Sequence, residues 1–354
     1  MAFSKVAVLG LGKVGRLAAE LLAEAGFEVT AFDARLIEDA AFAVRRADFG
    51  DREAARAALA GQEAVLSCLP YAFNKGVASA ARALQIHYFD LTEDVPTTQH
   101  IRALAATAKG VMAPQCGLAP GFVGVVGAHL AEQFDRVRSI RLRVGALPQH
   151  PTGLLGYAFN WSPEGVVNEY LNDCEVIEEG VRKMVSGMEW LETIYIGGVR
   201  LEAFTTSGGL GTMCETYLGR VENLDYKSMR YPGHAQLMNF FFHELLMRED
   251  RAAAGRILTY AKPPVDDDVV YLHVAAEGWT NGRLGRKEFV RAYYPMEIAG
   301  QPRTAIAWTT AVSVVAAIEM VRSGALPRQG FLKQESIPLE PFLKTSTGRL
   351  YAGV

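Results

Sequence analysis

The stretch VAVLGLGKVGRLAAELLAEAGFEVTAFDA, residues 6–34, decides the fold. A short β-branched run leads into Gly10, Gly12 and Gly15 in the pattern G-x-G-x-x-G, a helical stretch follows, and a second apolar run ends in Asp33. The spacing has a mechanical reason. The first glycine permits a tight turn, the second lets backbone approach a pyrophosphate, and the third lets the helix pack on its strand while the helix N-terminus faces the anion. Such a glycine pattern alone is a weak signal. Here strand, helix and acidic residue all fall where a dinucleotide fold needs them.

Asp33, at the end of the second strand, is placed to accept hydrogen bonds from an adenosine ribose and to repel a 2′-phosphate, which favours NAD. Arg35, two residues on, keeps NADP possible. The expected cofactor-binding set is Gly10, Gly12, Lys13, Val14 and Gly15 in the loop, then Asp33, Asp48, Leu69 and Pro70 on later strand ends. Asp48 closes the run AVRRADFGD and either touches the adenine amine or caps the helix DREAARAALAG, aspartate being favoured at N-caps.

Outward from this unit, β-branched runs (EVTAFDA, AVLSCLP, HYFDL, GVMAPQ) alternate with helical stretches (DREAARAALAG, KGVASAARALQ) as far as Gly117. That alternation is the mark of repeated β-α-β units and a parallel sheet. The fourth run leads into SCLPYAFNKGVASAA, residues 67–81, where an aromatic hydroxyl, Tyr71, follows a proline. Strand ends of this sheet face the ligand side, so Leu69, Pro70 and Tyr71 are expected beside the cofactor, Asp90, Thr92 and Glu93 at the next strand end, and Cys116 at the one after. Tyr71 either lines a pocket or covers the sheet edge. Cys116 is either a small buried residue or a reactive thiol.

After Gly117 the texture changes. A helix is expected near Pro120, then longer alternating runs (SIRLRVGAL, VRLEAFTT, DVVYLHVAAEGW, KEFVRAYY), with Asn281 and Gly282 as a hairpin turn. These give a mixed, mostly antiparallel sheet, with helices opened by Ser162-Pro163 and by Pro232. The expected class is α/β, a Rossmann-type doubly wound parallel sheet with a second α+β domain. The expected division is 1–117 for the dinucleotide domain, 118–303 for a substrate and dimerisation domain, and 304–354 for a segment returning to the first.

At 354 residues, half of them hydrophobic and 21% charged, the chain can build more than one core. A net charge of -3 gives no general reason to bind nucleic acid or an anionic membrane, and small-molecule partners are favoured. Cys68, Cys116, Cys174 and Cys214 lie far apart without a metal-type pairing, which suits free thiols in a reducing compartment, and no metal is expected. The N-terminus MAFSKVAVLG runs straight into a strand with no secretory pattern, so a cytoplasmic location is expected. The apolar run AIAWTTAVSVVAAIEMV from Ala305 is shorter than the ~20 residues of a membrane crossing and reads as a buried helix.

The motifs HYFDLTED, QCGLAPGF, WSPEGVVNEY, LEAFTTSGGLGT and MRYPGHA, in this order, resemble those of the saccharopine dehydrogenase and L-lysine 6-dehydrogenase family. The resemblance spans nearly the whole chain. It implies a homodimer and NAD(P)-linked oxidation of a carbon-nitrogen bond in lysine metabolism, with saccharopine, converted to allysine and glutamate, ahead of lysine as substrate. A carboxyspermidine-type reductive enzyme and a non-catalytic NAD-binding module are the alternatives. Asp90, Tyr71, Cys116 and His234 become the catalytic candidates, with Asp90 first as the base that neutralises the amine. His234, in the first turn of the helix after Pro232, either contacts substrate or caps packing. Arg230 is the candidate for a substrate carboxylate, because a guanidinium fork suits bidentate recognition, or else a plain ion pair. Thr206 and Ser207 either line the pocket or shape a turn, while Ser162 and Glu164 look structural.

Overall fold

The computed structural model describes residues 3–35, 40–50 and 52–353. The chain divides into two compact units, one made of 1–125 with 307–354 and the other of 126–306. Expected boundaries at 117 and 303 fall a few residues earlier than this division.

In the first unit, β1 (Lys5–Leu9), β2 (Glu28–Asp33), β3 (Ala43–Arg46), β4 (Ala64–Ser67), β5 (His87–Asp90) and β6 (Val111–Ala113) form one parallel sheet, closed at its end by Gly330–Phe331. The order is Gly330–Phe331, β6, β5, β4, β1, β2, β3. The direction of winding therefore reverses between β1 and β4, the place where open sheets of this kind bind ligands. The four residues of β4 and the last four of β1 are buried, the continuous apolar pattern of a sheet covered on both faces.

Helix α1 (Lys13–Glu24) forms because Leu17, Ala18, Leu21 and Leu22 recur at helical spacing on one buried face. It stops at Gly26, whose φ of +79° suits the left-handed turn after a helix end. Full burial of Leu17 and Leu22 contributes about 1.5–3 kcal/mol each. Leu22→Ala would take away both that burial and its packing. Helices α2 (Arg52–Leu59), α3 (Tyr71–Leu84) and α4 (Val95–Ala105) make the remaining crossovers. Val77, Ala78 and Ala81 of α3 and Ile101 of α4 pack with Tyr88 and Met112 of the sheet.

The second unit is built on β7 (Arg136–Pro148), β8 (Cys174–Glu178), β9 (Val181–Val185), β10 (Glu192–Ile196), β11 (Val199–Thr205), β12 (Asn223–Arg230), β13 (Asp268–Thr280) and β14 (Arg283–Tyr293). Its sheet runs β10-β11-β12-β7-β13-β14, with the β8-β9 hairpin attached to β12. Only the β12-β7 pairing is parallel among these strands. Asn281 and Gly282 turn the β13-β14 hairpin with φ of 52° and 76°, the double positive φ that favours Asn-Gly. Buried Arg143 of β7 ties three strands. Its Nη2 donates to Asp225 Oδ2 of β12 at 2.7 Å, its Nε pairs with Glu192 of β10, and Lys227 Nζ reaches Glu192 at 3.1 Å.

Two local expectations are corrected. The helix after Pro232 opens two residues later, at His234, because Gly233 with φ of 95° makes the entry turn. Among the described residues, Asp48 caps no amide of α2. Its Oδ1 accepts the Gly50 amide at 2.9 Å, closing a turn before that helix begins. Helix Ala305–Ser323 is long and apolar enough to cross a membrane by length and composition, yet 83% of that window is buried inside the protein. Asp268 caps its start, accepting the amides of Ala305 at 2.6 Å and Ile306 at 2.9 Å.

Candidate active site

The glycine loop is built as its spacing predicts. Gly10 holds φ of +85° beneath Cys68 and Leu69, and a Cβ on Gly15 would lie 1.9 Å from the Gly10 carbonyl oxygen. Those two glycines are required by the fold. Gly12 is different: its φ is -65° and a Cβ there would meet no atom within 4 Å. None of the described residues needs that position bare, so the bare backbone at the N-cap of α1 fits a phosphate that approaches it. Lys13 and Val14 open the helix.

Asp33 holds this loop in place. Its Oδ2 accepts the Leu11 amide at 2.7 Å and its Oδ1 accepts the Arg35 amide at 2.9 Å. A carboxylate offers about four acceptor sites, so room for a ribose hydroxyl remains. Arg46 stands in register with Asp33 across β2 and β3, and both Arg46 and Arg35 are exposed.

At the end of β4, Leu69 touches the glycine loop, Pro70 is exposed, and Tyr71 is already the first residue of α3, half-buried. Tyr71 thus stands on a helix N-terminus at the sheet rim. The next strand end does not present its carboxylate as expected. Asp90 is fully buried and both of its oxygens are engaged: Oδ2 by the Tyr88 hydroxyl at 2.6 Å, Oδ1 by the amides of Thr92 at 3.0 Å and Gln115 at 2.9 Å. Burial pushes its carboxyl up to about 6 against the lowering effect of those donors. Cys116 is buried as well, donating to the Ala113 carbonyl at 3.2 Å and receiving Gln334 Nε2 at 3.2 Å. Burial raises its thiol, and raises Cys68 to about 12, so neither is a ready thiolate. The thiol and the Asp90 carboxyl lie beneath the rim rather than on it.

The second unit carries the other candidates. Arg230, at the end of β12 and 3% exposed, donates from Nε to the Tyr170 hydroxyl at 2.6 Å and from Nη1 to the Met229 carbonyl at 2.9 Å. Its guanidinium lies 4.7 Å from the Tyr157 ring centre and 5.5 Å from that of Tyr170. Fully buried His234 places Nδ1 3.0 Å from the Leu155 carbonyl and Nε2 2.9 Å from the Tyr170 hydroxyl. One proton arrangement satisfies all of them. Nδ1 donates to the carbonyl, Tyr170 donates to Nε2, and Tyr170 oxygen accepts from Arg230. Burial, then the Arg230 charge, lower His234 to about 3, which keeps the ring neutral. Both of its nitrogens are engaged within the protein, which fits the packing role of the two expected for it.

Thr206 and Ser207 are buried and occupied too. Thr206 Oγ1 meets Ser228 Oγ at 2.8 Å, and Ser207 Oγ donates to the Asp173 carbonyl at 3.0 Å. The plain reading of these two, as shapers of a turn after β11, fits best. Sequence reasoning assigned no role to Tyr157 and Tyr170. Tyr170 closes the quoted motif WSPEGVVNEY, a signal that was there to use. Tyr157 lays its buried ring against the Arg230 guanidinium. Among the described residues, no group of three His, Cys, Asp or Glu could hold a metal ion.

Residues 6–113 match the saccharopine dehydrogenase NADP binding domain, and residues 117–350 match the saccharopine dehydrogenase C-terminal domain. Saccharopine dehydrogenase [NADP(+), L-glutamate-forming] of Pyricularia oryzae is 24% identical over 257 residues, 67% of this chain and 57% of that protein. The mitochondrial alpha-aminoadipic semialdehyde synthase of Mus musculus is 24% identical over 195 residues, 51% of this chain and 21% of that protein. The chain thus aligns with little more than half of the first relative's length and about a fifth of the second's. Among solved structures, apo saccharopine dehydrogenase (L-Glu forming) from Saccharomyces cerevisiae superimposes with a TM-score of 0.77 at 19% identity, covering 96% of each chain, which supports the fold. With both of its domain models matched in order over nearly the whole sequence, the chain belongs to the saccharopine dehydrogenase family.

Proposed function

We propose that this chain is an NADP-dependent dehydrogenase that oxidises the secondary amine of saccharopine, giving allysine and glutamate. The observation that carries the reading is the bare Gly12 position at the head of α1, in a chain whose remaining length matches a saccharopine dehydrogenase C-terminal domain. Gly10, Gly12 and Gly15 would hold the pyrophosphate, and Asp33 fixes the loop through Leu11. The nicotinamide, when bound, supplies the hydride acceptor.

The chain's own residues do the rest. Arg230, aimed by Tyr170 and His234 and backed by the Tyr157 ring, receives a substrate carboxylate. The buried Asp90 positions: it ties the end of β5 to the amides of Thr92 and Gln115 and so sets the rim. NADP is preferred over NAD because Arg35 and Arg46 flank Asp33, and two guanidinium groups offset the repulsion that one carboxylate exerts on a 2′-phosphate.

The test is steady-state turnover of saccharopine and of lysine with each nucleotide. The reading expects saccharopine with NADP to give the highest kcat/KM, and Arg46→Ala to raise KM for NADP by about tenfold while leaving KM for NAD unchanged, the loss expected for one charge-assisted contact. Turnover of lysine in preference to saccharopine would transfer the assignment to a lysine dehydrogenase. Absence of turnover with both amines would remove the reading.

A further inference from the structure

Three acidic side chains occupy the turn between β5 and α4, and the structure uses two of them. Asp90 spends both oxygens on Tyr88, Thr92 and Gln115. Asp94 caps α4, its Oδ2 accepting the Thr97 amide at 2.8 Å and the Thr97 hydroxyl at 2.6 Å. Thr92 Oγ1 in turn accepts the Asp94 amide at 3.1 Å, so the turn is pinned on both sides. Glu93 stands between these pins. Its side chain is half-buried and meets only its own backbone amide among the described residues. It is a carboxyl on a pinned turn at the sheet rim, bonded to its own amide and to no other group among the described residues.

From this geometry we propose that Glu93 is the proton acceptor of the reaction, taking the proton that the substrate's secondary ammonium must lose before the nitrogen lone pair can drive carbon-nitrogen double-bond formation. The inference rests on the functional reading above and replaces Asp90 in that role. In the step, an N-H bond of the ammonium breaks, its electron pair stays on nitrogen, and an O-H bond forms on the Glu93 carboxylate. No oxidant enters this proton transfer. A carboxyl suits it when its own affinity for the proton approaches the working pH. Burial raises Glu93 to about 7, with the charges of Asp94 on α4 and Asp90 on β5 acting in the same direction. A pinned turn also keeps the group from swinging away, which is what positioning at a reacting atom requires.

The experiment compares wild type, Glu93→Gln and Glu93→Asp by the pH profile of kcat/KM for saccharopine. It adds carbon-13 NMR of glutamate-labelled apo protein, in which the Glu93 carboxyl resonance is identified by its loss in the Gln variant. The inference expects an ascending limb near pH 7 in the wild type, and a fall in kcat/KM of about a hundredfold in Glu93→Gln with that limb gone, the size typical for a lost general base. It also expects partial recovery in Glu93→Asp, unchanged NADP affinity by fluorescence titration, and an apo resonance that titrates near 7. An active wild type whose limb survives in Glu93→Gln, or an apo resonance titrating near the ordinary 4.3 for glutamate, overturns the inference alone. A wild type silent with saccharopine and lysine overturns the functional reading, and the inference falls with it.

Discussion

Two glycines three residues apart do different things, and one substitution separates them. At Gly15 a methyl group would stand 1.9 Å from the Gly10 carbonyl oxygen and 3.1 Å from Cys68 Cβ, so helix and loop must part to admit it. At Gly12 the same methyl group meets nothing. Gly15→Ala is therefore expected to lower the melting temperature and weaken NADP binding together, since core strain of this kind costs about 1–3 kcal/mol. Gly12→Ala is expected to leave the melting temperature within a degree or two and still weaken NADP by tenfold or more, because the added methyl group fills space that only a ligand would use. Thermal unfolding paired with fluorescence titration reads both. A Gly12→Ala protein with wild-type affinity would mean that the pyrophosphate does not approach this backbone. The sequence pattern names all three glycines alike. Only the distances tell which are kept for the fold.

The junction of β12 with the helix His234–Asn239 shows what a chain of hydrogen bonds does to an element's stability. His234 is neutral there, and its ordinary value in an unfolded chain is about 6.5. Because the folded value is depressed to about 3, the stabilisation is fully present above pH 6.5 and is lost as pH falls from there toward 3. At pH 4.5 the unfolded chain binds a proton that the folded one refuses, a loss on the order of 2 kcal/mol. Glutamine can also donate to Leu155 and accept from Tyr170, so His234→Gln is expected to keep its stability between pH 7 and 4.5 where the wild type loses that amount. Urea midpoints at the two pH values measure it, and equal losses in both proteins would count against a neutral, fully enclosed ring. The elements themselves were legible because their signals are local: Asn281-Gly282 for the hairpin, Ser162 for its helix, whose Oγ accepts the Gly165 amide at 3.0 Å. The bonds that set the roles of the candidates were not. Leu11 to Asp33, Tyr170 to Arg230 and Cys116 to Gln334 join residues 22, 60 and 218 apart, and such pairings leave no periodic trace in the chain. The chemistry of Asp90 and His234 is visible in the sequence, and the partners that engage it are not.

At the scale of the whole molecule, the chain leaves its first unit and comes back to finish it. The returning segment adds Gly330–Phe331 beside β6, covers Cys116 with Gln334, and stacks Tyr351 on Phe122 with ring centres 3.8 Å apart. Glu319 anchors the end of it, one oxygen accepting the amide and hydroxyl of Ser346 and the other those of Thr347, at 2.6–3.1 Å. A buried carboxylate with four donors is costly to leave unmatched, about 1–3 kcal/mol or more for the unsatisfied group. Deleting residues 330–353 would strand Glu319, uncover the edge of β6 and remove the apolar cover from Phe122, so the damage should be specific to the first unit. Hydrogen exchange gives the reading. Amides of β6, β5 and β4 are expected to lose protection by several orders of magnitude, while those of β12 and β13 in the second unit stay close to wild type, each unit having its own core. Glu319→Gln, which keeps the shape but loses the charge and one acceptor, should show the same pattern in weaker form. Uniform loss across both units would mean that they unfold as one cooperative body, and unchanged β6 protection would mean that the sheet is complete without its last strand.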